Sequence, residues 1–203
     1  MLGRLITYLR NEGLLATVVR SWNKIFFHSK SQTVFLKHNG LLNEAQGESD
    51  IIFEVLTDEN RSSFESIKFW NFINTDDYIN NMQQNVLLIK KDNEFIAYAA
   101  GLHERTREIH NLGCFLLNSG EGWIGPVYVV KKYRRKGVNR LLLVEQIKRL
   151  QSKGVYEIFS AINSRNTASL KSFKKVGFVE IGSVDSLKRI VGDPKGIIAE
   201  KFF

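Results

Sequence analysis

The sequence predicts an α/β fold: a mixed sheet with helices on its faces, preceded by a helical extension. Three observations predict it. Short apolar runs rich in β-branched residues, such as "IIFEVLT", "NVLLIKK" and "YEIFSAI", are separated by polar turns. Between the later runs, apolar residues recur at helical spacing. The first thirty residues carry helical spacing alone.

The composition suits this class. With 203 residues, 43% of them hydrophobic and 25% charged, the chain holds one ordinary core and an appendage rather than a disordered segment. The net charge of +8 points to an acidic or phosphate-bearing partner. Nucleic acid is not the expected one. Its single-strand binders interleave aromatic and basic residues on strands, whereas the basic residues here gather in one turn and on helices. Cys114 is the only cysteine, so no intramolecular disulfide forms and no metal site is expected.

Residues 1–30 read as helix, broken near Gly13. Leu2, Leu5, Ile6 and Leu9 share one face, as do Leu14, Leu15, Val18, Val19, Trp22, Ile25 and Phe26. Arg4, Arg10, Arg20, Lys24 and Lys30 make this a basic amphipathic segment. It suits packing on its own domain, a partner subunit such as a second copy, or an anionic membrane surface. The run "LLATVV" is too short for a signal peptide or a spanning helix, so the expected location is the cytoplasm. "HNGLLNEAQGES", from His38, reads as a linker, which divides the chain into an extension of 1–49 and a main domain of 50–203.

In that domain "IIFEVLT" is the first strand. Thr57 or Asp58 caps a helix whose apolar side holds Phe64, Ile67 and Trp70. "DDYINNMQQ" is a short helix. "NVLLIKKDNEFIAYAAGLH" is a hairpin turning at Asp92 and Asn93. "IHNLGCFLL" and "GEGWIGPVYVV" are strands, and Pro126 interrupts pairing in the second because it has no N–H to donate. A helix from Val138 to Lys153, a strand "YEIFSAI", a helix over Ala168 to Val176 and final strands complete the order.

Between the strand ending "VYVV" and the next helix stand Lys131, Lys132, Arg134, Arg135, Lys136 and Arg140, around Gly137. Gly137 allows a tight turn and close backbone approach. The free N–H groups and positive dipole end of the following helix face that turn, so the composite is a pyrophosphate cradle. It is neither a nucleoside-triphosphate P-loop nor a dinucleotide G-x-G-x-x-G loop.

About thirty residues later comes "NSRNTASLKSFKKVGF". Together the two motifs resemble the GNAT superfamily of acyl-CoA-dependent N-acetyltransferases. Its R/Q-x-x-G-x-G/A loop reads Arg134-Arg135-Lys136-Gly137-Val138-Asn139. Its N-x-x-A-x-x-L-Y-x-K-x-G-F stretch aligns with Asn166, Ser169, Ser172, Phe173, Lys175, Gly177 and Phe178. Gly122 to Val184 fits well, and the rest of the domain fits more loosely. The resemblance implies a mostly antiparallel central sheet, splayed at the strand before the turn. Pantetheine would lie against Val127, Tyr128 and Val129, and pyrophosphate on the amides of Arg135 to Arg140. Asn166 would touch the pantetheine or adenosine side. Asn139 and Phe173 depart from the pattern: the family prefers Gly or Ala at the first, and often a tyrosine at the second that protonates the departing thiolate. Phenylalanine cannot donate that proton. Either Tyr128, or Ser169 or Ser172 through water, supplies the proton, or the thiolate leaves unaided, or the chain binds acyl-CoA without turning it over.

The implied activity is transfer of an acetyl group from acetyl-CoA, without a metal, to a primary amine. A carboxylate acting as general base would deprotonate that amine, and Glu121 is the first choice, with His103 and His110 behind it. A backbone N–H near Val129 would hold the oxyanion. The layout, with "LRNEGLLATVVRSW", is similar to enzymes of bacterial surface-polysaccharide biosynthesis. That similarity implies an amino sugar or nucleotide sugar as acceptor. The alternatives are a protein amine and a non-catalytic acyl-CoA sensor.

Overall fold

The computed structural model describes residues 29–40, 50–67, 79, 84–103, 106–109 and 113–188. Residues 1–28 of the expected N-terminal helix, the helix "DDYINNMQQ" apart from Ile79 and Gln84, His110 and the tail after residue 188 lie outside them. The strands are β1 Ser29–His38, β2 Ile52–Val55, β3 Gln84–Lys91, β4 Glu94–His103, β5 Thr106–Ile109, β6 Gly113–Leu116, β7 Glu121–Val129, β8 Glu157–Asn163 and β9 Phe178–Lys188. The helices are α1 Arg61–Ile67, α2 Val138–Ser152 and α3 Thr167–Lys175, with a 3-10 turn at Lys131–Tyr133.

Seven strands make one mixed sheet in the order β2-β3-β4-β7-β8-β1-β9, and β5 and β6 pair separately. Every pairing in the large sheet is antiparallel except β7 with β8. The β3–β4 hairpin turns where expected. Asp92 and Asn93 adopt φ of 51° and 61°, the left-handed pair that a two-residue turn requires.

Alternation along the strands divides the core. On one face Leu87, Ile89, Ala97 and Ala99 pack beneath Val138 and Leu142 of α2. Val34, Leu36, Ile158 and Ile162 continue that layer toward Phe173 of α3. On the other face Val86, Leu88, Tyr98, Ala100 and Tyr128 surround Phe64 of α1, and Trp123, Phe159, Leu102 and Leu117 cluster alongside. Burying side chains of this size contributes roughly 1.5–3 kcal/mol each.

Four expectations need correction. First, Ser29 to His38, assigned to helix and linker, form a strand inside the sheet. Leu36 pairs with Ser160 of β8 and with Glu180 of β9. The division at 49/50 leaves this strand out of a sheet to which it belongs. Secondly, His38 is no linker residue: it is buried, its Nε2 lies 3.0 Å from the Val176 carbonyl, and its ring meets Phe178 edge-on. Thirdly, Asn60 rather than Thr57 or Asp58 stands at the start of α1, its side chain accepting from the Thr57 N–H at 2.9 Å. Fourthly, "IHNLGCFLL" is not one strand. Thr106–Ile109 and Gly113–Leu116 fold back on each other as a small hairpin. No helix among the described residues is long and apolar enough to cross a membrane.

Candidate active site

The site begins where β7 and β8 part. Their parallel pairing covers only Glu121–Glu157, Gly122–Ile158 and Trp123–Phe159. Beyond it β7 stays with β4 as far as Ala97–Val129, while β8 stays with β1 as far as Thr33–Asn163. A V-shaped cleft therefore opens between the far ends of β7 and β8. The register against β4 slips at Gly125 and Pro126, since Ala99 faces Val127 but Gly101 faces Ile124. One extra residue in β7 makes a bulge there, at the proline expected to interrupt pairing.

The wide end of the cleft leads to the basic turn. Gly137 caps α2 at φ 79°, and a Cβ built on it would meet nothing within 4 Å. Arg135 is also left-handed, at φ 67°. The N–H groups of Arg140 and Leu141 donate to the Gly137 carbonyl at 2.8 and 3.2 Å. Those of Val138 and Asn139 precede this first helical bond and emerge at the helix end, where its dipole is positive. Lys131, Arg135 and Lys136 are exposed around them. Open space, outward N–H groups and three exposed cations, of which Lys136 lies 5.7 Å from the Tyr133 ring centre, fit a pyrophosphate. The seat is shorter than the sequence implied, because the Arg140 amide is engaged inside the helix.

Two other cations of the turn are committed. Lys132 pairs with Glu94 at 2.6 Å, and this hydrogen bond raises its pKa above the usual lysine value. Arg134 donates its Nε–H to the Val129 carbonyl at 2.9 Å and lays its guanidinium 5.6 Å from the Tyr128 ring centre. It ties the turn to the last residue of β7. The Val129 carbonyl is thus in use, leaving the Val129 N–H and the backbone of Val127 as the edge of the cleft, because Tyr128, two residues before the Val130 N–H that donates to Ile96, turns its backbone toward Tyr98 of β4.

The structure does not gather all the expected residues. Glu121 stands at the closed end, where β7 and β8 are still paired, and its Oε2 accepts from the Asn118 N–H at 2.8 Å and from Asn118 Nδ2 at 3.2 Å. It caps its own turn, about 20 Å of strand from Val127. His103 pairs with Gly122 at the same closed end. Neither reaches the cleft mouth. Asn166 caps α3, its side chain accepting from the Ser169 N–H. Phe173 is 2% exposed and packed on Phe178, so it is a core residue rather than part of the cleft wall. Tyr128 alone of the expected catalytic side chains lies on the splayed segment, its ring 5.7 Å from that of Tyr98.

Sequence reasoning missed the contribution of Ser160, whose hydroxyl donates to the Ile124 carbonyl at 2.9 Å just where backbone pairing ends. Nothing local in "IFSAI" announces this. It also missed Asn85 and Gln146, a buried pair joined at 2.7 Å between β3 and α2.

The family model for the acetyltransferase (GNAT) family matches residues 50–178. The chain belongs to the GNAT family. The match runs from just before β2 to the first residue of β9, and β1, outside it, still completes the GNAT sheet of this chain. Solved structures share the fold. A GCN5-related N-acetyltransferase from Sphaerobacter thermophilus is 15% identical with a TM-score of 0.60, over 91% of this chain and 58% of its own. One from Kribbella flavida is 16% identical with a TM-score of 0.57, over 93% of this chain and 66% of its own. The aminoglycoside N-acetyltransferase AAC(6′)-Iy in complex with CoA is 17% identical with a TM-score of 0.53, over 64% of this chain and 92% of its own. This chain thus spans less than two thirds of the first two. No curated protein matches it.

Proposed function

We propose that this chain transfers an acetyl group from acetyl-CoA to a primary amine of a small molecule, with an amino sugar or nucleotide sugar as the favoured acceptor. The observation that carries this reading is the parting of β7 from β8 after Trp123–Phe159, opening onto the Gly137 turn. The backbone of Val127 and the N–H of Val129, which face away from β4, suit the amides of pantetheine, and the turn suits the pyrophosphate. The neutral amine nitrogen attacks the thioester carbonyl carbon, a C–N bond forms, the C–S bond breaks, the nitrogen sheds a proton to water, and the thiolate takes up a proton from a donor that solvent then reprotonates. Tyr128 is the proposed donor of that proton. Neither Glu121 nor His103 is proposed as the base, since both stand at the closed end. The net charge of +8 favours a phosphorylated acceptor, and a fold neighbour that acetylates an aminoglycoside lends support to an amino-sugar class.

The test is calorimetric titration with acetyl-CoA and CoA of the wild type, Gly137→Asn and Gly137→Glu. Asparagine tolerates a left-handed backbone and adds no charge, whereas glutamate adds an anion in the open space. Binding by the wild type and the asparagine variant, abolished by glutamate, supports the seat; equal binding by all three removes it. Turnover on a panel of amino sugars, nucleotide sugars and peptide amines then identifies the acceptor. Phe173 favours one second reading, a sensor that binds acyl-CoA without turnover, because this buried ring supplies no proton donor. Binding with no CoA release on any amine would select it.

A further inference from the structure

One residue beyond the backbone pairing of the closed end, the apex of the cleft is held by a side chain. After Trp123–Phe159 the two strands no longer pair, and the next residue of β8, Ser160, donates its hydroxyl to the carbonyl of the next residue of β7, Ile124. Ser160 is 3% exposed and Ile124 is fully buried, so the bond is shielded from water. Immediately beyond, Gly125 takes φ 141° and β7 bulges away. Ser160 is held from its other side by β1, where it pairs with Leu36.

We infer that Ser160 is a positioning residue that sets the depth of the cleft and, through it, the length of the acyl chain accepted. The inference rests on the acyl-CoA reading above. Coenzyme A carries its phosphates at one end and its thioester at the other. With the phosphates at the Gly137 turn beyond Val129, the acyl end runs back along β7 toward Ile124. There the Ser160–Ile124 hydrogen bond closes the gap. A short acyl group ends above this bond. A longer one has to part Ser160 from Ile124 and leave a buried carbonyl without its donor. Ser160 itself touches no reacting atom; it acts by fixing where β7 and β8 separate.

The experiment titrates the full chain calorimetrically with CoA, acetyl-CoA and hexanoyl-CoA, as wild type, Ser160→Ala and Ser160→Thr. Binding rather than turnover is read, so the acceptor need not be known. The wild type is expected to prefer acetyl-CoA over hexanoyl-CoA by about tenfold or more, the scale on which an apolar pocket resolves chain length. Ser160→Ala is expected to narrow that preference to about threefold or less while its affinity for CoA changes by under about twofold. Ser160→Thr, which keeps the hydroxyl, is expected to retain the wild-type preference. A purely structural role would move the melting temperature without moving this ratio. If circular dichroism shows that the alanine variant does not fold, Ser160→Cys, close in size and a weak donor, is read in the same way. A folded alanine or cysteine variant with the wild-type ratio overturns the role of Ser160 and leaves the acyl-CoA reading standing. A wild type that binds none of the three overturns both.

Discussion

Phe173 and Phe178 meet edge to face, with ring centres 4.9 Å apart and planes inclined at 65°. Both rings are 2% exposed, in a cluster that also holds Val34, Leu36 and Val176. The position that often carries a tyrosine in this family is therefore filled here by a packing residue. Phe173→Tyr adds a hydroxyl to an apolar core. The expected outcome is a loss of about 1–3 kcal/mol of stability, read by urea unfolding, with no gain in turnover. A variant that instead gains activity would show that the ring reaches the thiolate.

Gly101 is required by its neighbour. A Cβ there would lie 1.8 Å from Nε2 of Gln146, the group that donates to Asn85 across the β3–α2 interface. Gly101→Ala displaces that amide and strands two buried polar groups, an expected cost of about 2–4 kcal/mol. Adding Gln146→Ala removes the clash, so the two substitutions are expected to cost less together than their sum. A double-mutant cycle in denaturant measures this, and strict additivity would contradict the contact.

Arg134 links the Gly137 turn, the proposed phosphate seat, to the cleft edge through the Val129 carbonyl and the Tyr128 face. Lysine keeps the charge but has no planar guanidinium to do both. Arg134→Lys is expected to weaken CoA binding by about tenfold, near 1.4 kcal/mol, at an almost unchanged melting temperature. Titration with CoA checks it, and unaltered affinity would reduce Arg134 to a surface charge.

Two ion pairs predict opposite pH windows. The Glu94 hydrogen bond raises the pKa of Lys132 in the folded chain. Its stabilisation is full below the unfolded value of 10.5 and fades as pH rises through the higher folded value. The Lys91 hydrogen bond lowers the pKa of Asp50, whose contribution is full above 3.8 and fades as pH falls through the lower folded value. Both pairs are surface contacts, so the effects are small. Melting curves of Glu94→Gln should converge on the wild type toward the alkaline end, and those of Asp50→Asn toward the acid end. The reverse pattern would mean that the pairs do not form.

The parts of the fold that were legible in the sequence are those encoded locally. The hairpin turn at Asp92–Asn93, the glycine start of α2 and the extent of α3 need only neighbouring residues. The candidate phosphate loop could be proposed for the same reason, since a glycine, the following helix and nearby cations all act within ten residues. The identity of β1 was hidden because its partners, β8 and β9, lie more than a hundred residues away, and "SQTVFLK" is too short to proclaim a strand alone. The place of Glu121 along the cleft was not legible, because alternation gives the side a residue faces, not the point at which two strands diverge. Only the register with β8 shows that it stands where they are still joined. Ser160 was invisible for the same reason.

The placing of β1 between β8 and β9 has a consequence for how the chain is made. Thr33 leaves the ribosome roughly 130 residues before its partner Asn163, and at 5–20 residues per second the wait is on the order of ten seconds. Throughout it, a strand meant for the interior of a sheet has both edges unpaired, while β2, β3 and β4 can pair with one another once they have emerged. Newly made chains are thus at their most aggregation-prone before the last third is synthesised. A temperature-sensitive yield in the cell, relieved by slower synthesis or by a chaperone that holds extended segments, would reflect the order of assembly rather than the strength of the finished fold.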